Sequence, residues 1–305
     1  VALTGGDGGP VGRAADLHVN APGPTARAQE VHRTILHIIC EIVERELVDG
    51  VSLTGSVDAG AEVASLAGRH IKKFVLELGG SDPFIVLEDA DIPKTARMAL
   101  QARMFNSGQS CIAANRFIAL EAIAKPFTEA LERELNAVKL GDPMDPATTI
   151  GPLAKREFVG VLSAQLEDAE RKGARVVYGP PPPSGKGFFF RPAMVTNVRP
   201  DMRVVTEEVF GPILPVLVAE NEARAVEMAN ASAYGLGASI WTKDLARAEK
   251  LARELEGGFV AVNDMVKSDP RLPFGGIKKS GVGRELSHYG LKEFMNIKSV
   301  VIKGA

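Results

Sequence analysis

The sequence predicts an α/β protein with a largely parallel sheet. Short apolar runs typical of buried strands alternate along the chain with longer segments whose apolar residues have helical spacing. This alternation favours strand–helix–strand units, which place neighbouring strands in parallel. The chain has 305 residues. That length exceeds one ordinary domain and predicts about two.

The composition excludes several classes of protein. Hydrophobic residues make up 45% and charged residues 24%, as in ordinary globular proteins. A net charge of −2 offers no basic surface for nucleic acid or an anionic membrane. No apolar run approaches the ~20 residues that span a bilayer. Two cysteines exclude a disulfide scaffold, and the N-terminus lacks a signal-peptide layout, so we expect a cytoplasmic protein without nucleic-acid or membrane partners.

The first 48 residues give two predictions. Residues 1–24 are rich in Gly, Pro, Ala and Asp, which favours a loop-rich or disordered lead-in. Residues 25–48 have apolar residues at helical spacing and predict an amphipathic helix. This helix carries His32, His37 and Cys40, whose spacings of five and three do not put all three on one face. We therefore predict no metal site.

A strand, a glycine turn and a helix follow. Residues 50–54 predict a short buried strand, and the turn from Gly55 and Ser56 to Gly60 opens a helix that runs through His70. This arrangement can present backbone N–H groups and a helix N-terminus to a phosphate. Such glycine spacings also occur in plain β–α turns, so both interpretations stay open at this point.

Residues 74–116 hold the two side chains with the clearest chemistry. Glu77 lies between leucines and before two glycines, and Cys111 lies 34 residues later, after a small polar run. The residues after Cys111 favour the start of a helix, whose dipole would stabilise a thiolate. Cys111 is therefore a candidate nucleophile and Glu77 a candidate general base. The other interpretation is a small buried hydrophobe and a glutamate on a strand edge.

The rest of the chain continues the alternation. Strands are predicted over 84–87, 116–120, 175–178, 188–195 (as a pair), 216–219, 237–241, 259–263 and 294–303. Helices are predicted over 92–104, 123–138, 158–172, 222–232 and 245–255.

Four motifs, in this order, resemble the NAD(P)-dependent aldehyde dehydrogenase superfamily. They are Glu77-Leu78-Gly79-Gly80, Gly108-Gln109-Ser110-Cys111, Glu208-Val209-Phe210-Gly211-Pro212 and Pro273-Phe274-Gly275-Gly276. The resemblance runs from about Val51 to the C-terminus. Segments 107–117 and 268–276 look most like the succinate-semialdehyde dehydrogenase branch.

The resemblance implies an aldehyde dehydrogenase-like fold. Its catalytic domain has a largely parallel sheet and is joined to the remnant of a Rossmann-type cofactor domain. The implied boundaries are a partial dinucleotide-binding domain over 1–78, with 1–50 atypical, a catalytic cysteine domain over 79–276, and a C-terminal segment over 277–305. That last segment would carry an oligomerisation strand that builds a homodimer or homotetramer.

The resemblance also implies the chemistry. Cys111 would attack a small aldehyde, succinate semialdehyde in this branch, and hydride transfer to NAD or NADP would leave a thioester. Glu77 would then activate the water that releases the acid. The residues expected to contact the cofactor are Gly55, Ser56, Gly60, Leu78, Glu208 and Phe210, with Glu208 bonding the nicotinamide ribose and Phe210 packing near the nicotinamide.

Substrate contacts are expected from Asn263, Ser268, Arg103 and Arg271. A cation is needed because the branch acts on a substrate carboxylate. Other interpretations stay open for three of these residues. Asn263 could instead cap a strand end inside the protein, and each arginine could form a surface ion pair.

The chain departs from the family at its N-terminus. The family's asparagine that supplies a second oxyanion donor, and a lysine that contacts the cofactor ribose, do not occur in residues 1–50. The sequence therefore predicts an N-terminally truncated member. Three functions compete: a working NAD(P)-dependent aldehyde dehydrogenase, a catalytically impaired homologue unable to hold cofactor, and a cofactor-independent thiol esterase.

Overall fold

The computed structural model describes residues 2–5, 18–21, 49–185 and 187–303. The strands are β1 (Ala2–Gly5), β2 (His18–Ala21), β3 (Gly50–Thr54), β4 (Lys73–Glu77), β5 (Asp82–Val86), β6 (Ala114–Leu120), β7 (Arg175–Tyr178), β8 (Ala193–Thr196), β9 (Ile213–Ala219), β10 (Tyr234–Gly235), β11 (Gly237–Trp241), β12 (Phe259–Val262), β13 (Ile277–Lys278) and β14 (Gly281–Val282). The helices are α1 (Val57–Arg69), α2 (Ile92–Met104), α3 (Glu121–Asn136), α4 (Arg156–Arg171), α5 (Arg203–Thr206), α6 (Glu222–Asn230), α7 (Leu245–Glu254) and α8 (Ser287–Glu293).

A seven-stranded sheet forms the larger part of the protein. Its strand order is β12-β11-β5-β6-β9-β8-β7. Every neighbouring pair is parallel except β7 and β8 at one edge, which are antiparallel. The predicted α/β fold with a largely parallel sheet is confirmed.

The central strands are apolar because both of their faces are covered. Every residue of β5, β6 and β11 is buried, and helices α2, α3 and α6 pack on β6. At the centre, the ring of Phe84 stacks on Trp241 at 5.0 Å and tilts against Phe117 at 5.3 Å. This packing fixes the ends of β5 and β6, where the site residues emerge.

A second sheet has three strands in the order β14-β4-β3. β3 and β4 are parallel, and β14 pairs antiparallel with β4 so that Gly281 faces Glu77. The chain passes from this sheet to the large one between β4 and β5. The predicted domain boundary after residue 78 falls in this connection, and it stays a prediction.

One predicted strand is wrong, and another does not form within the described chain. Of the pair expected over 188–195, only β8 forms, and Phe188 makes a single bridge to Leu153. Pro192 supplies no N–H to a ladder there. Residues 295–303 form no strand, although their apolar side chains, such as Ile297, are exposed. A strand needs a backbone neighbour, and the described part of the chain places none beside this segment.

The N-terminal predictions fall mostly outside the described residues. Within the stretch expected to be loop-rich, β1 and β2 pair in parallel. The helix expected over 25–48, with His32, His37 and Cys40, lies outside the described residues. Among the helices that are described, none has the length and apolar character needed to cross a membrane.

Candidate active site

Cys111 lies in a tight turn immediately before β6. The 3₁₀ turn Phe105–Gly108 precedes it, and Asn106, Ser107 and Gly108 all have positive φ angles, of 51°, 58° and 78°. The expected helix after Cys111 is wrong, because β6 begins at Ala114 and pairs with β5. Pairing within the sheet overrides the local preference of this segment. A helix dipole therefore does not stabilise a Cys111 thiolate.

The buried side chain of Arg103 stabilises the turn around Cys111. Its guanidinium is fully buried and donates to the carbonyl oxygens of Ala114 at 2.9 Å, Gly108 at 2.6 Å and Val209 at 2.9 Å. The prediction that Arg103 contacts the substrate is corrected, because its terminal nitrogens are all bonded to backbone inside the core. Arg103 joins both flanks of the cysteine turn to the Glu208 motif.

Two further contacts fix the turn. Ser107 Oγ lies 3.1 Å from the N–H of Gly151 and accepts its hydrogen bond, and Gln109 Oε1 accepts from Ala154 at 2.8 Å. A Cβ on Gly108 would collide with the backbone of Gly211. Glycine is therefore required at position 108 both by its positive φ and by this close approach.

Glu77 ends β4 with its carboxyl group buried. The residue is 3% exposed, and neither carboxylate oxygen has a hydrogen-bond partner among the described residues. Burial raises the pKa of Glu77 to about 8, and the charge of Glu285 raises it further while Arg284 opposes the shift. The carboxyl is therefore mostly protonated at neutral pH, and the fraction present as a carboxylate that can act as general base increases as the pH approaches 8.

Cys111 is held in an acidic environment. Burial raises the pKa of the Cys111 thiol to about 11, and the charges of Asp82, Glu208 and Glu77 act in the same direction. The resting nucleophile is therefore a thiol. It needs a base, or the loss of a neighbouring negative charge, to become reactive.

Glu208 contacts the two glycines that follow Glu77 in the first motif. Its Oε1 accepts from the N–H of Gly80 at 3.0 Å, and a Cβ on Gly79 would lie 2.5 Å from Oε2. Burial raises the pKa of Glu208. The structure thus brings three predicted site residues, Cys111, Glu77 and Glu208, into one partly buried acidic cluster.

The predicted phosphate turn lies beside Glu77. Ser56 is the N-cap of α1 and accepts from the N–H of Ala59 at 3.3 Å, while the N–H of Gly55 donates to the Glu77 carbonyl at 3.0 Å. The N-terminus of a 13-residue helix beside the acidic cluster fits the phosphate end of a dinucleotide.

The other expected cofactor residues pack within the protein. A Cβ on Gly60 would lie 2.6 Å from Leu78 Cδ1, so Gly60 is small because α1 packs on Leu78. Phe210 contacts Phe158 edge to face, with ring centroids 5.5 Å apart. Their roles toward a cofactor stay predictions.

Two expected substrate residues are bound elsewhere. Asn263 Oδ1 accepts from the N–H of Thr242 at 3.1 Å and its Nδ2 donates to the Thr242 carbonyl at 2.8 Å, so it joins the ends of β11 and β12. Arg271 has an 86% exposed side chain that pairs with Asp269 at 2.6 Å. In this structure the two residues form the strand-end cap and the surface ion pair, and their contacts with substrate stay predictions. Ser268 is exposed between β12 and β13, and its role stays a prediction.

Sequence reasoning missed several residues that hold the site. Asp82 is fully buried and its Oδ1 accepts from the N–H of Gly237 at 2.9 Å. Arg116 bonds the Ser81 carbonyl at 2.8 Å and the Ala229 carbonyl at the end of α6 at 2.8 Å. A charged residue at the head of an apolar run, as in Asp82-Pro83-Phe84, was the available signal.

Residues in and just after the fourth motif contact the first motif. Ser280 Oγ donates to the Gly79 carbonyl at 2.7 Å and accepts from the N–H of Gly235 at 3.0 Å. A Cβ on Gly275 would lie 2.7 Å from Glu77 Oε1. All four motifs therefore converge on the cluster around Glu77 and Cys111.

The sequence is similar to known proteins that share the family of the resemblance. The sequence profile described as "Aldehyde dehydrogenase family" matches residues 23–300. A succinate-semialdehyde dehydrogenase (NADP(+)) of Deinococcus radiodurans is 48% identical over 260 residues, covering 85% of this chain and 54% of the relative. A succinate semialdehyde dehydrogenase (NAD(P)+) of Escherichia coli K12 is 44% identical, covering 86% of this chain and 57% of the relative.

Solved structures agree as well. One from a study of cofactor and substrate selection by Gox0499 has a TM-score of 0.83 at 42% identity, covering 87% of this chain and 58% of that one. Betaine aldehyde dehydrogenase from Staphylococcus aureus in complex with NAD+ has a TM-score of 0.78 at 36% identity, covering 81% of this chain and 50% of that one.

The expected resemblance to the succinate-semialdehyde dehydrogenase branch is confirmed by these relatives. The chain spans about half the length of the curated relatives it matches. The profile match covers most of the sequence and includes all four motifs. The chain belongs to the aldehyde dehydrogenase family.

Proposed function

We propose that this chain carries the catalytic cysteine site of an NAD(P)-dependent aldehyde dehydrogenase that oxidises succinate semialdehyde to the carboxylic acid. The observation that carries the proposal is the convergence of Cys111, Glu77 and Glu208 in one partly buried cluster. The relatives named above as succinate-semialdehyde dehydrogenases support the substrate.

Cys111 provides the nucleophile. Its thiol gives its proton to a base, for which the neighbouring Glu77 carboxylate is the candidate, and the thiolate sulfur then bonds to the aldehyde carbon while the carbonyl oxygen takes the negative charge of a thiohemiacetal. The rigid turn held by Arg103 and by the contact of Gly108 with Gly211 fixes where the sulfur can attack. The backbone N–H of Cys111 would donate one hydrogen bond to the oxyanion.

Glu77 provides the base for the second half of the reaction. Its carboxylate takes a proton from water, the hydroxide oxygen bonds to the thioester carbon, and the carbon–sulfur bond to Cys111 breaks to release the acid. Both Glu77 oxygens lack a partner among the described residues, so the carboxyl can accept a water or turn toward one.

NAD or NADP, when bound, supplies the acceptor for the hydride that leaves the thiohemiacetal carbon. Gly55 and Ser56 would hold the pyrophosphate at the N-terminus of α1. Glu208 would bond the ribose hydroxyls, since one carboxylate can accept from two hydroxyls, and Phe210 would pack beside the nicotinamide. Gly60 and Leu78 would support this surface by packing against each other.

The finer expectations remain part of this proposal. Ser268 stays a candidate for the substrate side, and the segment 294–303 would pair as a strand with a second copy in a homodimer or homotetramer. Its exposed apolar side chains support such a pairing. The cytoplasmic location expected from the sequence also stays a prediction.

Calorimetric titration of NAD and NADP into the 305-residue chain tests the proposal, followed by NADH or NADPH formation with succinate semialdehyde. We expect micromolar binding, about −8 kcal/mol, and turnover that Cys111→Ala abolishes. Absence of binding to both cofactors would reject the dehydrogenase function for this chain. Hydrolysis of an activated ester by the wild type but not by Cys111→Ala, without cofactor, would then support the thiol esterase instead.

A further inference from the structure

Asp82 is a buried acid that the proposed reaction does not use. It is the first residue of β5, aligned with Ala114 at the start of β6, and it is 2% exposed. Oδ1 accepts from the N–H of Gly237 at the start of β11, whereas Oδ2 is buried without a partner among the described residues. A buried carboxylate oxygen left unpaired is costly and calls for an explanation.

Gly80 lies between the Asp82 carboxyl group and the backbone of Cys111. A Cβ on Gly80 would collide with the carbonyl oxygen of Cys111 and would lie 3.3 Å from Asp82 Oδ1. On the other side, a Cβ on Gly237 would lie 2.5 Å from Asp82 Oδ2. The carboxyl group is therefore enclosed between two glycines, with the cysteine turn on the far side of Gly80.

The charges that face Asp82 come from three neighbouring segments. Arg116 on β6 and Arg103 on α2 are cationic, and Glu208 before β9 is acidic. Both arginines donate to backbone carbonyls, and Asp82 takes its one hydrogen bond from Gly237. Burial raises the pKa of Asp82 to about 7, with the cations and the Gly237 bond opposing the shift and Glu208 adding to it.

Three carboxylates act on Cys111, while the buried Arg103 bonds the backbone on either side of the cysteine. Asp82, Glu208 and Glu77 each raise the pKa of the thiol in addition to burial, and Asp82 has the largest effect of the three. A negative charge on Asp82 therefore works against formation of the thiolate, and its removal favours the thiolate.

We propose that Asp82 is a positioning residue for Cys111: it holds the start of β11 beside the Gly80 turn that contacts the cysteine backbone, and its charge adds to the burial that keeps the thiol protonated. This inference rests on the proposed role of Cys111 as the nucleophile. In consequence, the reactivity of Cys111 depends on whether Asp82 is charged.

The test is the pH dependence of Cys111 alkylation by iodoacetamide, followed by mass spectrometry between pH 6 and pH 10. The full chain with Cys40→Ser leaves Cys111 as its one thiol. In this background Asp82→Asn keeps an acceptor for Gly237 and removes the charge. Above pH 7, where Asp82 is charged in the wild type, we expect the apparent pKa of Cys111 to fall by about one unit, which gives about tenfold faster alkylation between pH 8 and pH 10. At pH 6 the two rates should agree.

Asp89→Asn is the matched control. Asp89 follows the opposite end of β5 and accepts from the hydroxyl of Thr242 at 2.7 Å and the N–H of Lys243 at 2.8 Å. Its loss should leave the Cys111 profile unchanged. An Asp82→Asn profile that matches the wild type, or shifts upward, would overturn the proposal.

Two measurements protect the test against a folding defect. If Asp82→Asn does not fold, Asp82→Ser is also neutral, is smaller, and keeps an oxygen for Gly237. If neither folds, the profile of Glu77→Gln in the same background decides, because this variant removes the other carboxyl that titrates in this range. Titration of Asp82 near pH 7 then predicts a rate that rises less than tenfold per pH unit between pH 6 and pH 8, and a full tenfold slope would overturn the inference. Alkylation needs no aldehyde turnover, so a chain that fails as a dehydrogenase still reports on Asp82.

Discussion

The backbone N–H of Gly80 donates to Glu208 Oε1 at 3.0 Å, across 128 residues of sequence. This bond joins the turn after the proposed base to the residue proposed to bind the nicotinamide ribose. The position of Glu208 is therefore set by the same turn that separates Glu77 from the large sheet.

Glu208→Gln should weaken NAD or NADP binding about tenfold with little loss of folding stability. Glutamine still accepts from Gly80 but removes the charge that strengthens bonds to ribose hydroxyls. Calorimetric titration measures the change. Glu207→Gln is the matched control, because Glu207 pairs with Arg203 at 2.7 Å. Equal losses in the two variants would contradict the ribose role.

Arg103→Met should lower the free energy of unfolding by about 3 kcal/mol or more. The substitution leaves three buried carbonyl oxygens without their donor, and each unsatisfied group costs roughly 1–3 kcal/mol. Arg271→Met removes only an exposed ion pair and should change stability by at most about 0.5 kcal/mol. Urea unfolding compares them, and an Arg103→Met chain as stable as the wild type would contradict the structural role.

Glu77 should make the protein less stable as the pH rises. Its pKa is raised from 4.5 in the unfolded chain to about 8, so between these values the folded state binds more protons than the unfolded state. Stability from this group is fully present below pH 4.5 and is lost as the pH rises toward 8, by at most about 1.4 kcal/mol per pH unit. Asp82 contributes in the same direction between 3.8 and about 7.

Urea unfolding of the wild type and Glu77→Gln at several pH values measures this effect. The variant should show a shallower fall in stability between pH 5 and pH 8. Glu129→Gln, on the exposed side of α3, should keep the wild-type slope. A Glu77→Gln slope identical to the wild type would mean that the buried carboxyl does not titrate in this range.

Gly108→Ala should destabilise the protein by about 2 kcal/mol or more. Its φ of 78° disfavours a side chain, and a Cβ there would collide with Gly211. Gly160→Ala is the control, because a Cβ on Gly160 in α4 meets open space and alanine favours a helix by roughly 0.5–1 kcal/mol. Thermal unfolding should therefore shift in opposite directions in the two variants.

The elements were predictable where local preference and burial agree. Helix α2 and strand β11 have the bounds that their sequences predict, because helix formers follow an N-cap in the first and a continuous apolar run marks the second. The segment after Cys111 misled the prediction because its small residues suit a helix while its position next to β5 requires a strand. That position is set by the whole sheet and cannot be read from the segment.

The site was predictable where a motif carries it. Cys111, Glu77 and Glu208 meet as the motif order implies. The positions of Arg103 and Arg271 were not predictable, because the sequence does not distinguish a buried guanidinium from an exposed one. Arg103 finds partners as far away as Val209, and Arg271 finds its partner two residues away.

The bond from Ser280 to the Gly79 carbonyl spans 201 residues, so the turn that follows Glu77 acquires one of its supports late in synthesis. Two of the bonds from Arg103 to the cysteine turn lie within residues 103–114, while the contacts with Gly151, Ala154 and Val209 arrive later. During translation the thiol region can therefore assemble while the glutamate still lacks the antiparallel neighbour supplied by Gly281. A nascent chain that stopped before residue 280 would carry a formed nucleophile beside an unfinished base.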